Sequence, residues 1–230
     1  MPRINKPRVG MSNTISIAPD GIVTFPRLIM DRLGWKAPMR IAVDHLEDKK
    51  IKDAPLVLFL NADNSAEGEG YSLSTLNRSS SGKPGSGGKT SFASLTHHTI
   101  APRVSLPRKD IEPIYPANSL ADLVLMLTEP VWQVVEFTMA GCSQIGDRTE
   151  SPIGTYELLG GDGTTLRVGE GLVQTRIREH LRDDRLVRAV KKVRYFPLTE
   201  KQDAETMEQV LLAQYETRYE ALPQFNTIRG

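Results

Sequence analysis

Apolar positions come in short bursts between polar and glycine- or proline-bearing breaks. Thr14, Ile15 and Ile17 lead into Pro19-Asp20-Gly21, and Ile22, Val23 and Phe25 lead out, which predicts a β-hairpin. Leu28, Ile29 and Leu33 then share one helical face before Gly34 supplies a stop. MRIAVDHL and APLVLFLNA read as two strands around the charged loop EDKKIKDA, so the order is strand, strand, helix, strand, strand.

From His98 the pattern starts again. Ile100-Ala101-Pro102 followed by Val104, Leu106, Pro107 and Arg108 echoes Ile17-Ala18-Pro19 followed by Ile22, Phe25, Pro26 and Arg27. LADLVLMLTE and VWQVVEFTMA would then stand for the two later strands, giving an internal repeat over 14–62 and 98–140. Between the copies, 77–92 is rich in Ser, Gly, Lys and Pro and reads as a linker, because it carries too little apolar surface to order itself. Gly88-Lys89-Thr90 inside it is not a phosphate loop: Lys83 stands where that motif needs its first glycine.

The polar stretch GCSQIGDRTESPIG sets a domain boundary near residue 150, dividing the chain into 1–150 and 151–230. Past it the pattern gives strand GTYELL, turn GGDGT, strand TLRVGE, helix VQTRIREHLRDD, strand KKVRYFPL and a long helix EKQDAETMEQVLLAQY. That is a small α/β domain with an antiparallel sheet flanked by helices, and the fold class of the whole chain is α+β.

Composition narrows the function. With 39% apolar and 25% charged residues and a formal net charge of +1 the chain is an ordinary globular sequence, and any nucleic-acid contact must come from local charge. Its one cysteine, Cys142, excludes an internal disulfide and a cysteine-rich zinc site and points to a reducing, cytoplasmic setting. MPRINKPRVG reads as a flexible basic arm, with no apolar segment behind it for export and no membrane span further on. Local charge is found at 176–194, where Arg176, Arg178, Arg182, Arg185, Arg188, Lys191, Lys192 and Arg194 face only Glu179, Asp183 and Asp184. Such a stripe suits a phosphate backbone.

Two resemblances give these features a function. DGIVTFPRLIMDRLGW, with the order of elements around it, resembles the AbrB-like swapped-hairpin DNA-binding module, which implies a mostly-β DNA-recognition region over 1–150 and dimerisation. The C-terminal region resembles the GIY-YIG nuclease superfamily: Gly154-Thr155-Tyr156 stands for its first tripeptide and Arg167-Val168-Gly169 for its second. Arg176 and His180 follow on the first helix, Glu208 on the long helix, and Asn226 after Leu222-Pro223. Arg176 and His180, four residues apart, lie on one helix face and can address one phosphate.

That resemblance implies roles. Tyr156 would orient or deprotonate the attacking water, its phenol pKa of about 10 lowered by nearby cations. Glu208 would hold one divalent ion, most plausibly Mg²⁺. Arg176 would neutralise charge on the phosphate, His180 would relay a proton or bind phosphate, and Asn226 would brace the site. Arg167 departs from the family, which usually has tyrosine there, and about six extra residues separate Glu208 from Asn226. The expectation is a metal-dependent, site-specific endonuclease of restriction type on double-stranded DNA, with a homodimer for palindromic sites. Arg167 also admits a second reading, a non-catalytic AbrB-like regulator with a degenerate nuclease domain. Singly, each of these residues has a plain structural alternative: a packed tyrosine, a solvated arginine, a glutamate on an exposed face.

Overall fold

A computed structural model describes residues 13–18, 22–47, 55–63, 70–75, 88–91, 109–117, 120–146 and 151–226. The expected basic arm, the Pro19-Asp20-Gly21 turn and the start of the second repeat copy at 98–108 lie outside the described residues. The chain divides into two compact units. One takes in Met1–Asp44, Leu58–Pro113 and Ala121–Leu127; the other takes in His45–Val57, Ile114–Leu120 and Thr128–Gly230.

In the first unit β1 (Ile15–Ile17) and β2 (Ile22–Phe25) pair antiparallel with Ser16 opposite Thr24 and Ile17 opposite Val23. The alternation predicted it: Ile15, Ile17, Val23 and Phe25 are buried, and the residues between them are not. Helix α1 (Arg27–Leu33) follows directly and stops at Gly34. It buries Ile29 and Met30, and Trp35 meets the Phe25 ring edge-on at 5.8 Å between centroids. β3 (Met39–Glu47) and β4 (Leu56–Asp63) complete the predicted order. Leu56 to Leu60 are buried without alternation, so this strand is covered on both faces.

β5 (Tyr71–Thr75), β6 (Gly88–Ser91), β7 (Lys109–Ile111) and β8 (Leu123–Thr128) fill out an eight-stranded sheet ordered β7-β1-β2-β6-β5-β3-β4-β8. β6 corrects the linker expected over 77–92. Gly88 to Ser91 lie between β2 and β5 and take ladder partners from both, so backbone pairing orders a segment whose composition could not. The remainder of that segment lies outside the described residues.

The second unit holds a four-stranded sheet ordered β11-β10-β12-β9, from β9 (Gln133–Glu136), β10 (Ile153–Leu159), β11 (Thr165–Leu172) and β12 (Lys192–Pro197). Its helices are α2 (Met139–Cys142), α3 (Val173–His180), α4 (Asp184–Ala189) and α5 (Lys201–Tyr219). The α+β class holds, and three particulars differ from expectation. The helix expected through residue 184 ends at His180, and α4 restarts after Asp183, whose carboxylate accepts from the Arg185 N–H as an N-cap. β8 and β9 enter different sheets whereas β3 and β4 are neighbours, so this part of the proposed repeat is not reproduced. The polar stretch at residue 141 is no break: Cys142 and Ile145 are wholly buried and pack with Phe137 against Tyr156, Leu158, Val173, Ile177 and Val193. No helix among the described residues is long and apolar enough to cross a membrane.

Candidate active site

β10 and β11 form a hairpin whose register sets the site. Tyr156 lies opposite Gly169, Leu158 opposite Arg167 and Thr155 opposite Glu170. Cross-strand partners share a face and neighbours along a strand alternate, so Tyr156 and Arg167 take one face while Thr155, Glu157 and Glu170 take the other. Gly169 is needed for contact: a Cβ there would overlap the Tyr156 phenol, which lies across β11 toward the outer edge of the sheet. Gly154 is needed likewise, since a Cβ there would overlap the Phe196 carbonyl on β12. The glycines of both motif tripeptides therefore let neighbouring groups approach closely.

Helix α3 leaves the end of β11 and buries Val173 and Ile177, which turns Arg176 and His180 toward Tyr156. The Tyr156 hydroxyl and His180 Nε2 are 2.7 Å apart. Arg176 ion-pairs with Glu179 at 3.0 Å and its Nε–H donates to the Glu170 carbonyl at 3.4 Å, which ties the helix back to β11. Arg167 donates from Nη1 to the Phe225 carbonyl, while its Nε is buried without a partner.

Charge and burial pull on these groups in opposite directions. Tyr156 is 2% exposed, and burial pushes its phenol up to about 12 although the charges of Arg167 and Arg176 act to lower it. This corrects the expectation of a lowered tyrosine: the cations are present, and desolvation outweighs them. His180 is pushed down to about 4 by burial, with Arg167 and Arg176 acting in the same direction. At neutral pH the pair is thus a neutral phenol hydrogen-bonded to a neutral imidazole.

Glu208 projects from α5, and burial together with the neighbouring charge of Glu170 pushes its carboxyl up to about 7. Neither carboxylate has a hydrogen-bond or ion-pair partner among the described residues, and Glu170 Oε2 is fully buried. Two unpartnered carboxylates, half-buried and within range of each other's charge, are what a hard divalent cation satisfies, with water and phosphate oxygens completing its shell. No three His, Cys, Asp or Glu side chains among the described residues converge into a protein-only metal cage. Glu170 was not singled out from the sequence; its place directly after Arg167-Val168-Gly169, on the strand that carries the motif, was the available signal.

Asn226 stands apart from the chemistry. Its Oδ1 accepts the Val168 N–H at 2.7 Å and its Nδ2 donates to the Val168 carbonyl at 2.8 Å, while the Phe225 N–H donates to the Leu166 carbonyl at 2.9 Å. The C-terminal segment thereby closes the outer edge of β11 beside Arg167. In the basic stripe Arg182, Arg185, Arg188, Lys191 and Lys192 are exposed, but Arg194 is not available to a partner on that surface. It pairs with Glu157 at 2.7 Å on the other sheet face.

Tyr156, Arg167, Arg176 and His180 thus come from β10, β11 and α3 to one face at the outer edge of the sheet, while Glu208 stands on α5, which packs on the other face where Thr155 Oγ1 donates to the Ala204 carbonyl, near enough for its charge to act on Tyr156. No protein-family model, curated protein or solved structure matches this chain.

Proposed function

We propose that the unit containing residues 128–226 is a metal-dependent nuclease centre hydrolysing phosphodiester bonds in DNA. The observation that carries this reading is the 2.7 Å contact between Tyr156 and a neutral His180 beside Arg167 and Arg176, with the unpartnered Glu208 close enough for its charge to act on Tyr156. Phosphodiester hydrolysis needs a base for water, cations for the charge on phosphorus and support for the leaving oxygen. Attack of water on phosphorus passes one water proton to the Tyr156 oxygen as the Tyr156 proton moves to His180 Nε2. The phosphorus–ester oxygen bond breaks, and the leaving oxygen takes a proton from solvent. Arg176, about half exposed, receives the phosphate, and Arg167 faces the developing charge from β11. Glu208 and Glu170 would hold one divalent cation, Mg²⁺, which would supply Lewis-acid stabilisation of the leaving oxygen.

The first unit, with its hairpin running straight into α1, supports a role as the DNA reader, and exposed cations from Arg182 to Lys192 suit a duplex backbone. Together they make a site-specific, restriction-type endonuclease, dimeric on palindromic sites, in an AbrB-like plus GIY-YIG-like arrangement. One observation favours a second reading, a DNA-binding regulator with a silent centre: Tyr156 is almost fully enclosed and its phenol lies near 12. Incubating wild type and Glu208→Ala with mixed double-stranded phage DNA, with Mg²⁺ or with chelator, separates them. Discrete fragments from wild type with Mg²⁺ alone are expected; intact DNA in every lane moves the assignment to the regulator.

A further inference from the structure

On the sheet face opposite Tyr156 lies a cleft of about 330 Å³ walled by β10, β11, β12 and the C-terminal half of α5. Glu157 forms its base, 5% exposed at the side chain. Three bonds converge on one oxygen of Glu157: Oε2 accepts from Arg194 Nε at 3.0 Å, from Arg194 Nη2 at 2.7 Å and from Thr165 Oγ1 at 2.6 Å. Its other oxygen, Oε1, accepts no hydrogen bond among the described residues. The walls are mostly polar, and Trp132, Tyr215 and Tyr219 supply their aromatic part. Trp132 carries the Arg194 guanidinium 4.4 Å above its ring, and Tyr215 and Tyr219 lie 4.5 Å apart between centroids.

This lining sorts ligands by chemistry. A bare anion would meet Glu157, a bare ammonium would meet Arg194 and Arg218, and a hydrocarbon would leave Glu157 Oε1 buried without a partner. A planar heteroaromatic ring with N–H groups on its edge satisfies all three demands: its face stacks on the tyrosine pair, an N–H reaches Oε1, and Gln214 offers both a donor and an acceptor. The volume lies at the lower end of small-molecule sites and suits one base with its sugar. We infer that this cleft binds a single unpaired nucleobase bearing an amino group, either on a free nucleotide or on a strand, separately from the hydrolytic centre. Tyr156 and Glu157 are consecutive on β10, so one strand serves both sites from opposite faces.

Trp132 is a built-in reporter; the only other tryptophan, Trp35, is buried in the first unit. Metal-free full-length protein is titrated with dAMP and dGMP, with a short oligo-dA strand, and with deoxyribose 5-phosphate and an abasic strand as controls, reading tryptophan emission. Saturable quenching by the mononucleotides assigns the site to the base itself; quenching by the strand alone assigns it to a base carried by DNA, and either result supports the inference. Tyr219→Ala, at a position 58% exposed where folding is not at stake, weakens binding roughly five-fold or more, the loss of one stacking partner. Glu157→Gln weakens amino-bearing bases further and leaves the controls unchanged. Quenching by the base-free controls, no saturation with any probe, or equal affinity in wild type and both variants overturns the proposal. Hydrolysis is not needed in either arm, so a silent nuclease centre leaves this test intact.

Discussion

Proton positions at His180 and Glu208 make opposite demands on pH. His180 falls from 6.5 to about 4 on folding, so the unfolded chain binds its proton first. Its contribution to stability is complete above 6.5 and drains away as pH falls toward 4, at up to about 1.4 kcal/mol per pH unit before solvent screening reduces it. Glu208 rises from 4.5 to about 7, so its contribution is present below 4.5 and is lost as pH climbs through 7. Denaturant melts of wild type and His180→Gln between pH 4.5 and 7 should diverge, the variant losing less stability on acidification; parallel curves would remove the buried neutral imidazole from the account. A second expectation concerns the cation. At pH 6 the Glu208 proton must leave before a metal can bind, so Mg²⁺ should raise Tm more at pH 8 than at pH 6. Each 1 kcal/mol of binding moves Tm by roughly 2–4 °C in a chain of this size. Glu208→Ala and Glu170→Ala should each abolish the Mg²⁺ shift, and a shift that survives both would place the cation elsewhere.

Elements rather than single residues hold the edge of β11. Val168 is 1% exposed, and its N–H and carbonyl are both satisfied by the Asn226 amide, which mimics one rung of a missing strand. Asn226→Ala should cost about 1–3 kcal/mol by leaving those buried groups without partners. Asn226→Asp keeps one acceptor and loses the donor to the Val168 carbonyl, so its loss should fall between wild type and alanine. Equal stability of all three by chemical denaturation would mean that water replaces the amide. This is also where reading the sequence stopped. Tyr156, Arg167, Arg176, His180 and Glu208 are singled out through a motif resemblance, and the i,i+4 spacing of Arg176 and His180 is the part of that set that local periodicity itself carries. The bracing role of Asn226 fits its expected place, although its partner, Val168, is remote in sequence. Glu170 and the capture of Arg194 by Glu157 depend on which strand faces which, and that register is set by tertiary pairing. The strand at Gly88–Ser91 is the extreme case: its composition argues for a linker, and two neighbouring ladders decide otherwise.

Across the whole molecule, the chain's own order misleads about where the second unit begins. A break at residue 150 follows from the polar run there, but β9 pairs with β12 from Val193 opposite Val135 to Tyr195 opposite Gln133, and the Phe137 N–H donates to the Lys191 carbonyl at 2.9 Å. Thr138 then caps α2 through its hydroxyl, which accepts from the Gly141 N–H at 3.0 Å, and delivers Cys142 and Ile145 to the core beneath Tyr156. A fragment comprising 151–230 lacks all of this. Burying Phe137 or Ile145 is worth about 1.5–3 kcal/mol each, against a total stability of about 5–15 kcal/mol for a domain. Removing both, together with an edge strand, takes away a large part of the margin. Fragment 151–230 should therefore retain helical far-ultraviolet dichroism, bind a hydrophobic dye and melt without a cooperative transition. Fragment 128–230 should melt cooperatively, with the Tyr156–His180 pair formed. If 151–230 alone gave a sharp transition and the same His180 pKa by NMR, the covering elements would be ornament to the site. If neither fragment folded, the segments His45–Val57 and Ile114–Leu120 would be required too, consistent with the Tyr115 N–H donating to Thr217 Oγ1 at 3.1 Å and the Leu56 N–H to Thr128 Oγ1 at 2.7 Å.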